Sequence, residues 1–428
     1  MIALTLLTTA ALAQDCLIIR GTLAHLPDGP RPDTTLVVVG DRLTHAGAPL
    51  EGLAVQDSPR PGLGMADHDG RRCAVLEAGG TQTTPALIEA HSQLGLVEVS
   101  LEAASVDAYS SEADPIRAAF QVQDAYNPRS SLVPIARSGG LGSAIIVPGG
   151  GLVSGQSAWV DLVGTSQAQA VVDGSVAVHA SLGGGGGSRA QALMRLRELL
   201  DEARTYDKKR QAWESARYRD WRHEPMDLAA MQAVVSREVP LVVSANRAAD
   251  IEALLRFVDD QAIDLVLVGG AEAWLVADEL ADRSIPVIVN ALHPGPTNFD
   301  AIHSRPDNAA LLHQAGVPVI LASFSSHNAR KLRQCAGNAV RAGLPHDVAL
   351  AAITSVPARA FGVPDRGALV VGARADLAVW SGDPLELTTS LAHLVLAGQD
   401  LDRSTRQTLL LERYRTLAQP EPATTTSP

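Results

Sequence analysis

The chain has 428 residues, 46% hydrophobic and 19% charged, with a formal net charge of −12. That composition is globular, with apolar material for a large core, and excludes a disordered or fibrous chain. The acidic balance repels phosphate backbones and argues against a nucleic-acid partner. No apolar run beyond the N-terminus approaches the roughly 20 residues that span a bilayer.

The chain opens on MIALTLLTTAALAQDC. Residues 2–12 are a short apolar run, and Ala11-Leu12-Ala13 is an A-x-A cleavage pattern. Residues 1–13 therefore read as a signal peptide cut before Gln14, which implies a periplasmic or secreted protein. No Lys or Arg precedes the run, and a buried first strand or helix is the other reading. The three cysteines are Cys16, Cys73 and Cys335, with no C-x-x-C pair, so a cysteine-based zinc site is excluded. Cys16 and Cys73 fall in one small domain. They either pair in an oxidising compartment or stay as two buried thiols.

Residues 16–23 and 35–39 are short β-branched runs separated by Pro, Gly and Asp, the texture of strands in a small sheet. Residues 375–380 and 391–396 repeat it near the far end. Strands at both ends of a chain can share a sheet, so residues 14–84 and 364–416 are expected to form a composite β domain. Residues 417–428 are Pro/Thr-rich and are expected to be disordered.

Between these ends, residues 85–363 alternate apolar strands with helical patterns. Strands are expected at 85–90, 143–147, 159–163, 176–182, 240–243, 265–268, 286–289 and 318–321. Helices are expected at 190–214, 248–260, 272–281, 308–314, 328–341 and 345–352. The strands are continuous apolar runs, as for strands buried on both faces. Such alternation argues for a parallel sheet covered by helices, and eight strands close a barrel. The alternative, a doubly wound open sheet, lacks a G-x-G-x-x-G after its first strand. The Gly-rich segment 148–157 has no Lys of a phosphate loop and reads as tight turns at the barrel mouth. Residues 183–187 are five glycines, read as a flexible loop.

Four segments then carry a resemblance. Pro85-Ala86-Leu87-Ile88-Glu89-Ala90-His91-Ser92-Gln93 resembles the P-G-L-I-D-x-H-x-H that ends the first barrel strand in amidohydrolases. Asn246-Arg247-Ala248-Ala249-Asp250 resembles the end of strand five in that family's exported, imidazolonepropionase-like branch. Thr354-Ser355-Val356-Pro357-Ala358 resembles T-x-N-P-A. Gly372-Ala373-Arg374-Ala375-Asp376-Leu377-Ala378-Val379-Trp380 resembles the closing G-K-x-A-D-L-V-V-W. The resemblance implies an amidohydrolase-type (β/α)8 TIM barrel with a small composite β-sandwich domain built from both chain ends.

Working members of that superfamily hydrolyse C–N bonds with one or two divalent metals, held by imidazoles, a carboxylated lysine and an aspartate. Carried over residue by residue, most of that set is missing. The H-x-H pair falls on His91 and Gln93, the strand-four lysine on His179 and the strand-five histidine on Ser244. The strand-six histidine falls on Gly269. The strand-eight aspartate falls on Phe324, with Ser323 and Ser325 as alternatives. Amide and hydroxyl oxygens are weak zinc ligands, and Phe324 cannot take a proton.

The site candidates are thus His91, Gln93, His179, Ser244, Asn246 and His327 at the barrel mouth, with His91 and His179 the two weak metal-ligand candidates. His327 either faces the mouth or caps the next helix; His293 and His303 read as surface-loop residues. No cofactor is expected; the alternative is one divalent metal, zinc by preference. The expected function is a binding module for an unnamed small molecule, or a partner subunit for an active relative or a homo-oligomer. The alternative is a C–N hydrolase of amide, cyclic amide or peptide bonds with a rearranged mononuclear or metal-free site.

Overall fold

A computed structural model describes residues 15–58, 62–110, 115–183, 187–293, 295–296 and 298–415. The expected signal peptide, its cleavage point, the expected tail and part of the five-glycine run lie outside these residues. Among the described residues no helix is long and apolar enough to cross a membrane.

Seven strands come first: β1 (Cys16–Leu26), β2 (Gly29–Val39), β3 (Arg42–Gly47), β4 (Gln56–Asp57), β5 (Gly64–His68), β6 (Arg71–Glu77) and β7 (Gln82–Pro85). The turn from β1 to β2 is Pro27-Asp28, and Gly29, which opens β2, sits at φ +118°, a conformation that costs glycine little. Eight further strands form a second sheet in chain order: β8 (Leu87–Ser92), β9 (Leu141–Ile146), β10 (Val153–Asp161), β11 (Val171–Ser181), β12 (Leu241–Ala245), β13 (Leu265–Gly269), β14 (Val287–Val289) and β15 (Val319–Leu321). The chain then returns to the first sheet with β16 (Leu377–Trp380), β17 (Leu391–Leu396) and β18 (Gln399–Asp400). β16 pairs antiparallel with β7, Leu377 opposite Pro85, so the two ends of the chain do share one sheet. Parallel pairing of β1 with β6 sets Leu17 opposite Ala74; their neighbours Cys16 and Cys73 are disulfide-bonded.

The second sheet is a nearly closed barrel. Its strands carry two apolar faces. Ile88, Ile145, Trp159, Val242, Val266, Ile288 and Ile320 fill the interior. Leu87, Ile146, Val160, Val243 and Leu267 meet the surrounding helices, including Arg189–Glu214 and Ala248–Gln261. That alternation around a doubly buried strand is why the sequence reads as unbroken apolar runs.

The expected barrel with its composite β domain is what the chain builds, with one departure from eight parallel strands. β10 runs antiparallel to both β9 and β11. Residues 154–157, read as part of a mouth turn, lie inside this reversed strand. The reversal carries Asp161 to the base of the barrel, against the segment leading into β16. There Arg366 binds both carboxylate oxygens of Asp161, at 3.3 and 2.8 Å, and Arg374 lies 3.4 Å from Asp161 and 3.3 Å from Asp376. The Arg366, Asp161 and Asp376 side chains are all buried. This network joins the two sheets.

Candidate functional site

β8 supplies the first residues of the barrel mouth. Its pairing with β9 slips between Glu89 and Ser92. Such an irregularity re-aims side chains, and the His91 ring comes to lie 5.8 Å from the His179 ring and 4.8 Å from the Phe324 ring, between centroids. His179 stands two residues beyond the interior Ala177 on β11 and is buried. Burial lowers the His91 pKa to about 4; burial and then the neighbouring His91 hold His179 well below the usual imidazole value. Both rings are neutral at pH 7. His91 Nδ1 and His179 Nε2 are buried without a hydrogen-bond partner.

Glu89, buried on the same strand two residues before His91, is a candidate that the sequence reading passed over. Its carboxylate accepts from the Ser323 backbone N–H at 3.1 Å to each oxygen and from the His91 N–H at 3.3 Å. It thereby joins the first barrel strand to the residue just past the last. Full burial raises its pKa to about 7, against hydrogen bonds from Ser323 and His91 that pull the other way. The available signal was the acidic position of the first-strand motif.

Ser323 is also held by Asn290, whose side-chain N–H donates to its carbonyl at 3.0 Å. Phe324, the next residue, sits at φ +56°. A left-handed aromatic residue is uncommon and survives where its surroundings over-determine it.

Phe324 is a shared wall of two cavities. The first, about 390 Å³, is lined among others by His91, Gln93, Tyr109, Gly149 and Ser325; the Tyr109 hydroxyl donates to Gln93 Oε1 at 3.4 Å. The second, about 280 Å³, is lined by Asn246, Gly269, Asn290, Ser304 and Asn308 among others. A larger cavity, about 690 Å³, opens at the opposite end, among the starts of β12, β13 and β14. Barrel chemistry belongs at the C-terminal strand ends, so the mouth is the candidate site.

The mouth gathers the sequence candidates unevenly. His91 and Gln93 share the first cavity, and His179 meets His91. Asn246 lies in the second cavity, its Oδ1 accepting from the Ala271 N–H at 3.3 Å. Ser244 is half-buried and lines neither. His327 is exposed and lines neither; its ring contacts the Glu98 carbonyl at 2.9 Å and the Ser326 hydroxyl at 3.2 Å. His293 borders the second cavity.

The donor set falls short of the divalent metal that the resemblance implies. Among the described residues no three His, Cys, Asp or Glu side chains converge on a metal position. The unpaired nitrogens of His91 and His179 supply two donors where tight zinc binding needs three or four. Gly269 would regain an imidazole only under strain: its φ is +91°, and a Cβ would lie 2.6 Å from Asn246 Oδ1, which would have to move. The residues present do not fit the metal.

The profile of the amidohydrolase family matches residues 135–401. An amidohydrolase from Thermotoga maritima MSB8 superposes with a TM-score of 0.78 at 21% identity, covering 91% of this chain and 100% of that one. A β-aspartyl dipeptidase from Fervidobacterium islandicum AW-1, in complex with a β-Asp-Leu dipeptide, gives 0.53 at 14% identity, covering 91% and 96%. An adenosine deaminase from Xanthomonas campestris with bound zinc gives 0.51 at 15%, covering 93% and 97%. At these identities the likeness is one of fold. No curated protein matches the sequence.

Proposed function

Because this chain belongs to the amidohydrolase family, we propose that it is a member whose barrel has given up metal-dependent C–N hydrolysis and serves as a binding module or as the partner subunit of an active relative. The observation that carries this is Phe324. Its ring packs 4.8 Å from the His91 ring, at the position where the resemblance places an aspartate serving as ligand and general base. A phenyl ring neither binds a metal nor takes a proton, and loss of an acid–base group alone removes about 10²–10⁴-fold in rate. With two imidazole donors left, no described group of side chains holds a metal that would activate water.

A specific observation supports a second reading. His91 and His179 keep unpaired, buried ring nitrogens, and Glu89 has a pKa of about 7. A buried carboxyl titrating near neutrality beside neutral imidazoles suits acid–base work. In that reading the chain is a C–N hydrolase with a rearranged mononuclear or metal-free site.

Elemental analysis of the purified protein after dialysis tests the first reading. The expected result is no stoichiometric zinc, iron or manganese, since three to four strong ligands are needed. About one metal per chain, lost in His91→Ala, would sink it.

A further inference from the structure

We propose that the segment from Asp207 to Arg222 is a peripheral contact for an anionic lipid surface. The proposal goes beyond the reading of the barrel mouth and does not depend on it.

The argument starts from charge. The chain as a whole is formally −12. Between Asp207 and Arg222 stand six Lys or Arg against three Asp or Glu, a local balance of +3. Lys208 and Lys209 are two of the chain's three lysines. The same segment holds Trp213, Tyr218 and Trp221, in a chain that is only 4% aromatic. Cations beside Trp and Tyr are the composition that suits the headgroup layer of a bilayer.

The fold turns this segment outward. The helix Arg189–Glu214 follows β11 and runs back toward the base of the barrel, away from the mouth. Its last buried residue is Tyr206. The helix continues from there to Glu214, about 12 Å further at the usual rise per residue. No residue from Asp207 to Arg222 is buried. A stretch of that length exceeds the Debye length of about 8 Å at physiological salt. A surface that touches the helix end therefore meets the local cations while the acidic body is largely screened.

The cations are not all spent within the protein. Glu214 answers Arg210 at 2.9 Å, Glu202 answers Arg219 at 3.0 Å, and Glu198 answers Arg222 at 2.9 Å. Lys208, Lys209 and Arg217 are exposed and form no ion pair among the described residues; Arg217 donates only to the Ser215 hydroxyl, at 2.9 Å. Nor do the lysines answer the helix dipole, whose effect is confined to the last turn: that turn carries no basic residue.

The surface is held in shape. The buried Glu202 carboxylate accepts from the Arg219 guanidinium at 3.0 Å, from the Arg222 N–H at 3.0 Å and from the His223 N–H at 3.2 Å. The Trp221 ring meets Tyr206 edge-on at 5.5 Å and Tyr218 at 4.9 Å, and Arg219 lies over both Tyr218 and Trp221. The stretch after the helix is thereby pinned back onto it, which lowers the cost of ordering on contact. Trp213 and Tyr218 are half-buried and keep ring surface open. Charge alone would fit any polyanion; open aromatic rings beside free cations favour a headgroup layer, which takes up both.

The test is co-sedimentation of the intact protein with vesicles of phosphatidylglycerol and phosphatidylcholine in equal parts, against vesicles of phosphatidylcholine alone. Binding to the mixed vesicles is expected to be at least about tenfold tighter, and to weaken as salt rises from about 0.05 to about 0.5 M. Lys208→Gln/Lys209→Gln is expected to bind about thirtyfold more weakly, at about 1 kcal/mol per cation near the surface. Its thermal midpoint should not move, because both side chains are exposed. Sedimentation velocity without vesicles should give the same oligomeric state for both proteins. Equal binding to the two kinds of vesicle, no binding to either, or binding unchanged in the lysine variant would overturn the proposal. So would a variant that changes oligomeric state, which would make a second copy of the chain the partner of this surface.

Discussion

Replacing Arg366 by Met is expected to cost about 3–5 kcal/mol of folding stability, the usual consequence of leaving a buried charge without its partner. Arg366 binds both oxygens of Asp161 and lies 3.6 Å from Asp376. Burial alone would lower its pKa, but the hydrogen bond and charge of Asp161, then Asp376 and Asp365, push it up. Without that cation, Arg374 alone faces two buried carboxylates. Asp376 already titrates at about 6, raised first by burial and then by Asp161. An unfolded aspartate titrates near 3.9. The protonated form of Asp376 therefore favours the fold fully below about pH 3.9, and that contribution is lost as pH rises through about 6. In the variant the folded pKa rises further, so the loss should be larger at pH 8 than at pH 5. Urea unfolding at the two pH values measures it. A loss under about 1 kcal/mol, or one independent of pH, would mean that the network does not hold the two sheets together.

Breaking the Cys16–Cys73 bridge, as Cys16→Ser/Cys73→Ser, is expected to cost about 4 kcal/mol, from the chain-entropy relation for a loop of this length and a separation of 57 residues. A thiol count on denatured, unreduced protein should find one thiol, Cys335. Native protein should react hardly at all, because Cys335 is buried and its pKa is pushed up to about 12. Three thiols in the denatured count would remove the bridge. A structural disulfide supports an oxidising compartment. With the leader pattern at residues 1–13, it underlies our proposal that the protein is exported and begins at Gln14; N-terminal sequencing of exported material that starts elsewhere would count against this.

The barrel was legible because its strands are buried on both faces. All eight apolar runs read from the sequence overlap the eight barrel strands. The direction of β10 was not legible, since a run buried on both sides reads alike in either direction. Only residues 159–161 of the expected 159–163 belong to that strand; its first half, Val153-Ser154-Gly155-Gln156-Ser157, looks like a turn by composition. The G-A-R-A-D-L segment could be recognised, yet why Arg374 and Asp376 stand in it needed Asp161, more than 200 positions away. At the site, His91 and His179 were found because imidazoles draw attention at strand ends. Glu89 was missed because a carboxylate in an apolar strand gives no sign of its partner, a backbone N–H at position 323.

Turnover decides whether the natural chain hydrolyses C–N bonds. The intact protein, with zinc or manganese supplied, should be assayed against amide, dipeptide and hydantoin-type substrates. Rates at background are expected for the natural chain and equally for Phe324→Asp, since one restored carboxylate does not rebuild a site of three to four ligands. Turnover by the natural chain that disappears in His91→Ala or His179→Ala would contradict this expectation and establish the rearranged site as a working one.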